Sequence, residues 1–182
     1  MTRAAAERQV RFETVLAALM ERCENRYGVP VRWVDVPQPF KGDLDGSQIL
    51  IDTDNDTENA TFMVAHLFGH TIQWNLSDRA REIGGAVAAT PTPALMAELE
   101  DYELTAARYG LTLLLEVGAE DLRPWYSDYS ACDFRYLKLF YATGEKKPFK
   151  SFWQDGQPLL EPLEIPDFEP KQWKMRFDGV VI

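Results

Sequence analysis

The sequence predicts an α+β fold that is mainly helical, with a small β-sheet and an aromatic-rich, extended C-terminal tail. Apolar residues recur at helical spacing in several long segments, which is the pattern of helices with a buried face. Two short apolar and β-branched runs near the start of the chain are typical of strands. The prolines beyond Gly144 are Pro148, Pro158, Pro162, Pro166 and Pro170. Because proline cannot continue a helix, this spacing favours an extended backbone.

The first elements follow from apolar spacing and from the residues that interrupt it. A helix is predicted over 4–27, ended by Gly28. Residues 31–36 and 47–52 are predicted to be strands that form a hairpin or a small sheet. The stretch 37–46 between them carries two prolines and two glycines, so it is predicted to be a loop.

The later elements are mainly helices. Apolar periodicity predicts helices over 57–74, 94–117 and 130–143. Within 79–93 no element is assigned, and the pairs Gly84-Gly85 and Pro91/Pro93 predict a loop. The final stretch, 173–182, is predicted to be a terminal strand.

Length and charge limit the function classes. With 182 residues and 46% hydrophobic residues, the chain can bury a core, and we predict a domain over 1–117 with an extension over 118–182 packed on it. The formal net charge of −10 repels phosphates, so no nucleic-acid partner is expected. There is no apolar run of the ~20 residues that span a bilayer, and the N-terminus lacks a signal-peptide core. We therefore expect a cytoplasmic protein with reduced cysteines and no membrane association.

Both histidines of the chain, His66 and His70, lie four residues apart in the helix predicted over 57–74. Residues at i and i+4 share one helix face, so both imidazoles can reach one ion, and zinc accepts nitrogen ligands at ~2.0–2.1 Å. A pair of buried, hydrogen-bonded histidines is the alternative. Gly69 lies between them, and a glycine inside a helix indicates close approach of another element.

A third ligand must come from another segment, and the next helix offers several carboxylates. They are Glu98, Glu100, Asp101 and Glu103. One of them would complete a set of two histidines and an acid, which leaves a fourth zinc position for water. The alternative is that this acidic run is a solvated helix start that complements the helix dipole.

Two motifs resemble those of ImmA/IrrE-type zinc metallopeptidases. The segment 62–70 is similar to the family's F-x-x-A-H-E-x-G-H helix, and 103–114 is similar to its second motif, in which a ligand glutamate precedes an alanine, an aromatic-small pair and two leucines. The resemblance covers about 8–117. It implies a zincin-like fold with a small sheet and zinc held by His66, His70 and Glu103.

One position departs from that family. The catalytic glutamate that follows the first histidine is replaced by Leu67. In HExxH enzymes this carboxylate takes a proton from the zinc-bound water, and such assistance contributes ~10²–10⁴-fold to the rate. The resemblance therefore implies a metal-binding pseudo-peptidase with a regulatory or binding role and a protein or peptide partner, and we assign no catalytic residue.

Two alternatives stay open at this point. One is a metal-free structural or protein-interaction domain. The other is a metallohydrolase with a non-standard general base, such as Glu100, Asp101 or a tyrosine. The sequence predicts neither a substrate nor an oligomeric state.

Overall fold

The computed structural model describes residues 2–37, 40–85 and 91–173. Within these ranges it has the predicted α+β architecture, mainly helical with a small sheet. The helices are α1 (Arg3–Tyr27), α2 (Thr57–Leu76), α3 (Asp78–Gly85), α4 (Pro93–Glu116) and α5 (Arg123–Thr143). The strands are β1 (Val31–Val34), β2 (Gly42–Leu44) and β3 (Ile49–Asp52). The strand predicted over 173–182 falls outside the described residues except for its first position.

Helix α1 matches its prediction closely, because both ends carry local stop signals. At its start the Thr2 side chain accepts a hydrogen bond from the Ala5 amide. At its end Gly28 adopts a left-handed conformation with φ of 66°, and its amide bonds back to the last turn. The apolar face, which includes Phe12 and Leu19, is buried in the core.

The sheet has the order β1-β3-β2. Strands β1 and β3 pair in parallel, so they form a sheet and not the alternative hairpin. Strand β2 runs antiparallel to β3 and lies in the stretch that was predicted to be a loop. That prediction was wrong for Gly42–Leu44, since a three-residue strand is too short to show alternation and depends on its pairing with β3.

Helix α2 is the centre of the core. Its first turn is capped by Asp56, whose carboxylate accepts the Asn59 amide at 2.7 Å. Every residue from 60 to 74 is buried. Helix α2 packs against α1, α4 and the sheet, which explains why it is apolar nearly all round and not amphipathic.

Helices α2 and α4 approach closely at two glycines. A Cβ atom on Gly69 would lie 2.6 Å from the carbonyl carbon of Ala106. On the facing helix, a Cβ atom on Gly110 would lie 2.5 Å from the carbonyl oxygen of Ala65. The close approach predicted at Gly69 is confirmed, and it brings the two backbones into direct contact.

Two helix boundaries differ from their predictions. Helix α3 occupies Asp78–Gly85, a stretch left unassigned from the sequence, and it includes the glycine pair that was expected to mark a loop. Helix α5 begins at Arg123, seven residues before the predicted start at 130. Pro124 falls in the first turn of α5, where a missing amide hydrogen is tolerated, so it starts this helix and does not break it.

The segment after α5 contains a short 3-10 helix, Phe149–Phe152, and then runs extended along the helices. Arg123 donates to the Leu160 carbonyl at 2.7 Å, and Arg108 donates to the Glu161 carbonyl at 3.0 Å. These contacts hold the tail against α4 and α5. Among the described helices, none is both long and apolar enough to cross a bilayer.

The contact between α2 and α4 predicts that a methyl group at position 69 is not tolerated. We expect Gly69→Ala to lower the free energy of unfolding by about 1–2 kcal/mol, because the overpacking exceeds the gain in helix propensity. Urea unfolding measures this change. As a control, Glu100→Ala on the exposed face of α4 should change it by less than about 0.5 kcal/mol. An unchanged Gly69→Ala protein would contradict the close crossing.

Candidate metal centre

The two histidines and one acid of the predicted set meet at a single point. His66 and His70 lie one turn apart on α2, and Glu103 faces them from α4. The Nε2 atom of His66 lies 3.0 Å from the His70 Nε2 and 3.0 Å from the Glu103 Oε2. The His70 Nε2 lies 3.2 Å from the same carboxylate oxygen. This compact triangle of ligand atoms can hold a metal ion.

All three side chains are buried, with exposed fractions of 6%, 6% and 8% for His66, His70 and Glu103. Burial of Glu103 disfavours its charged form. The two imidazoles outweigh that effect and hold the pKa of Glu103 below its usual value. The carboxylate is therefore negatively charged, as a metal ligand must be.

Gln73 fixes the tautomer of His70. The Gln73 amide nitrogen donates to the Tyr102 carbonyl at 3.0 Å, so its amide oxygen is the atom that faces His70. That oxygen accepts a hydrogen bond from the His70 Nδ1 at 3.0 Å. The proton of the neutral ring is thus on Nδ1, and the lone pair on Nε2 points to Glu103. Outer hydrogen bonds of this kind orient histidines that bind metals.

Aromatic rings hold both imidazoles from the side. Phe62 stacks on His66 with ring centroids 5.2 Å apart. Tyr102 stacks on His70 at 4.3 Å. The Nδ1 atom of His66 is buried and has no hydrogen-bond partner among the described residues. Packing therefore positions His66, whereas packing and a hydrogen bond together position His70.

If both imidazoles are neutral, the triangle has more hydrogen-bond acceptors than protons. Glu103 offers lone pairs only, and the neutral His70 offers a lone pair on Nε2. A neutral His66 contributes at most one N–H, which can satisfy one of its two neighbours. The His70 Nε2 and Glu103 Oε2 then stay 3.2 Å apart as two acceptors. A cation, either a metal ion or a further proton, satisfies all three atoms at once.

The other carboxylates that were candidates on α4 lie away from this point. Glu98 is exposed and forms an ion pair with Arg79 at 2.8 Å. Asp101 is exposed and lines a groove with α3, on a different side of α4. Glu100 is also exposed but lines the cavity that reaches the site. Of the four, Glu103 alone belongs to the triangle.

Leu67 is buried with the core, with 9% of its surface exposed. One of its methyl groups lies 3.0 Å from the point where a Cβ atom on Gly42 would be. Leu67 therefore packs toward β2. It carries no group that can accept a proton.

A cavity of about 170 Å³ opens beside the triangle, between α4, α5 and the tail. His66, Glu103 and Asp133 provide its ionisable inner wall. Apolar and small side chains provide most of the rest, and the tail closes one side. The remaining lining residues are Glu100, Leu104, Ala107, Ser127, Ser130, Ala131, Phe134, Gln157, Pro158 and Leu160.

Asp133 on α5 is a residue of this site that the sequence analysis did not identify. Its exposed fraction is 3%, and its Oδ2 lies 3.9 Å from the His66 Nε2. Burial raises the pKa of Asp133 to about 7, Glu103 adds to that increase, and His66 opposes it. The one signal in the sequence is an aspartate inside an aromatic, apolar helix, and that signal does not say which element it faces.

Comparisons with known proteins identify no relative of this chain. No protein-family model matches it, and neither a curated protein nor a solved structure matches it.

The raised pKa of Asp133 predicts a pH dependence of stability in the metal-free protein. From about pH 4 to about pH 7 the folded state holds a proton on Asp133 that the unfolded chain releases, so stability falls as pH rises. Asp133→Asn removes this dependence. We expect the variant to gain on the order of 1 kcal/mol per pH unit relative to wild type across this range.

Urea unfolding of chelator-treated protein at about pH 5 and about pH 7 measures that difference. Glu103 titrates below this range because its pKa is lowered from 4.5, so it contributes little to the difference. Parallel pH profiles for wild type and Asp133→Asn would show that Asp133 is not perturbed.

Proposed function

We propose that this protein is a metal-binding pseudo-peptidase of the ImmA/IrrE type, with zinc held by His66, His70 and Glu103. The observation that carries the proposal is the triangle of three buried ligand atoms, from two imidazoles and one carboxylate, which lie 3.0–3.2 Å apart. In a tetrahedral zinc site with zinc–ligand bonds of ~2.0–2.1 Å, neighbouring ligand atoms are about 3.3 Å apart. The ligand atoms are thus already spaced closely enough to share one ion.

The donor set supports zinc as the ion. Imidazole is a ligand that suits zinc, and zinc sites with two histidines and a glutamate are a recurring type. The hydrogen bond from His70 to Gln73 adds the outer support that such sites require. When bound, zinc would supply positive charge and Lewis acidity at the inner wall of the cavity.

The position of Leu67 supports a role other than ordinary peptide hydrolysis. A leucine side chain cannot take a proton from water, and this one packs toward the sheet. With the metal ligands retained and the general base absent, we assign the protein a regulatory or binding role. A protein or peptide is the partner that the resemblance suggests.

A metal-free interaction domain is the second candidate, and one distance favours it. The His66 Nε2 and Glu103 Oε2 are 3.0 Å apart, which is an ordinary hydrogen bond between an imidazole N–H and a carboxylate. In that case a protonated histidine, and not a metal, would compensate the buried charge of Glu103. Zinc stoichiometry separates the two candidates.

The 182-residue chain, purified without a histidine tag, is expected to bind about one equivalent of zinc under metal-replete conditions. At a free zinc concentration of about 100 times Kd, the free energy of unfolding should rise by about 2.7 kcal/mol, and a chelator should reverse the gain. His70→Ala should lose both effects, because it removes one corner of the triangle. The matched control, Glu98→Gln, changes a carboxylate outside the triangle and should retain both. A folded wild-type protein without stoichiometric zinc would favour the metal-free domain.

Gln73 provides a test of how His70 is held. We expect Gln73→Leu to weaken zinc binding by about 10–100-fold, because the His70 ring loses the acceptor that fixes its tautomer. The control Glu98→Gln changes no contact of His70 and should bind zinc as wild type does. Zinc affinity is measured by competition with a chromophoric chelator. Unchanged affinity in Gln73→Leu would show that packing, and not this hydrogen bond, orients the ring.

A further inference from the structure

Asp133 is a buried carboxylate that lacks the partners buried carboxylates normally have. Its Oδ1 is fully enclosed and has no hydrogen-bond partner among the described residues. Its Oδ2 faces the triangle, 3.9 Å from the His66 Nε2. Buried charged groups are rarely left in this state, because desolvation strongly disfavours a charge without a compensating partner. The side chain therefore requires a compensating cation or a proton.

The charges on this wall of the cavity balance with one divalent cation. Glu103 and Asp133 together carry two negative charges when both are ionised, and both line the same cavity beside His66. A dication bound between them would neutralise both. Among the described residues, the basic group paired with Asp133 is the His66 imidazole, at 3.9 Å, and Glu103 shares that imidazole at 3.0 Å. Glu103 has a second imidazole in His70 at 3.2 Å, whereas Asp133 has no basic partner of its own within the described part of the chain.

We propose that Asp133 is a fourth protein ligand, which completes a site of two histidines and two carboxylates for a divalent metal such as zinc. This inference rests on the proposed function, since it requires the triangle of His66, His70 and Glu103 to hold the ion. The Asp133 Oδ2 lies 3.9 Å from the His66 Nε2, whereas neighbouring ligand atoms of a tetrahedral zinc site are about 3.3 Å apart. Asp133 does not lie within 4.8 Å of all three triangle atoms, so coordination requires its side chain to turn toward the ion about its two torsions.

A fourth protein ligand changes what the site can do. Catalytic zinc sites keep one position for water, whereas sites with four protein ligands are closed and structural. Asp133 would take the position that water occupies in a peptidase. Leu67 provides no proton acceptor, and a ligand on α5 would displace the water. Both features would reduce the capacity of the site to activate water. The metal would link α2, α4 and α5 without presenting an activated water to the cavity.

The coordination of the wild-type protein is the primary test, and it requires no variant. The full chain is loaded with Co²⁺, and the visible spectrum is recorded with and without azide. A closed site should give the intense absorption of a four-coordinate ion and should not change with azide. An azide-sensitive spectrum with three protein ligands would overturn the proposal.

Variants then identify the residue. Asp133→Asn should bind zinc at least about 10-fold more weakly, and its Co²⁺ form should respond to azide. The matched control is Glu100→Gln, which removes an exposed carboxylate from the same cavity and should behave as wild type. Unchanged zinc affinity and an azide-insensitive spectrum in Asp133→Asn would contradict the assignment.

The failure of this inference differs from the failure of the proposed function. If wild type binds one metal ion that azide can reach, Asp133 is not a ligand but the triangle still holds the ion. If folded wild type binds no metal, the triangle is not a metal site and both proposals fail. If Asp133→Asn does not fold, the wild-type spectra still decide the case.

Discussion

The close crossing of α2 and α4 is the constraint on which the site depends. Gly69 and Gly110 lack the side-chain atoms that would keep the helices apart, so the backbone of each helix contacts the other. At this separation Glu103 reaches the two histidines without a bridging residue or water. A wider spacing would leave the carboxylate out of reach of the imidazoles. The two glycines, which carry no chemistry themselves, therefore set the distances between the groups that do.

Because the site is buried, each of its polar groups needs a compensating partner within the protein or a bound ion. The histidine pair lies on a helix that is enclosed on nearly all sides, and the carboxylate that faces it is as buried as the imidazoles. Polar groups in such surroundings are stable only when each is compensated. Here Gln73 satisfies one imidazole nitrogen, and the lone pairs that remain converge on one point. The proposed metal site follows from this incomplete compensation and from the spacing of the atoms.

Helix α5 and the tail make the site deeper than α2 and α4 could make it alone. Asp133 brings a second carboxylate to the wall beside His66, and the segment around Leu160 closes one side of the cavity. Hydrogen bonds from Arg123 and Arg108 to tail carbonyls hold that segment in place. The aromatic residues of α5 are largely part of the core, since Tyr126, Tyr129 and Tyr136 are buried. The division into 1–117 and 118–182 stays a prediction.

The sequence by itself determined the local features: the main helices, the pairing of His66 with His70 at one turn, and the close approach at Gly69. Each of these depends on residues near one another in the chain, where helical periodicity and backbone sterics decide the outcome. Spacing alone left four acidic residues of α4 open, and only the resemblance to a family motif selected Glu103. Only the tertiary structure decided that β1 and β3 are parallel and that Asp133 approaches from α5. The physical reason is that contacts between residues distant in the chain depend on how whole helices and strands pack. The spacing of residues within one segment does not predict that packing.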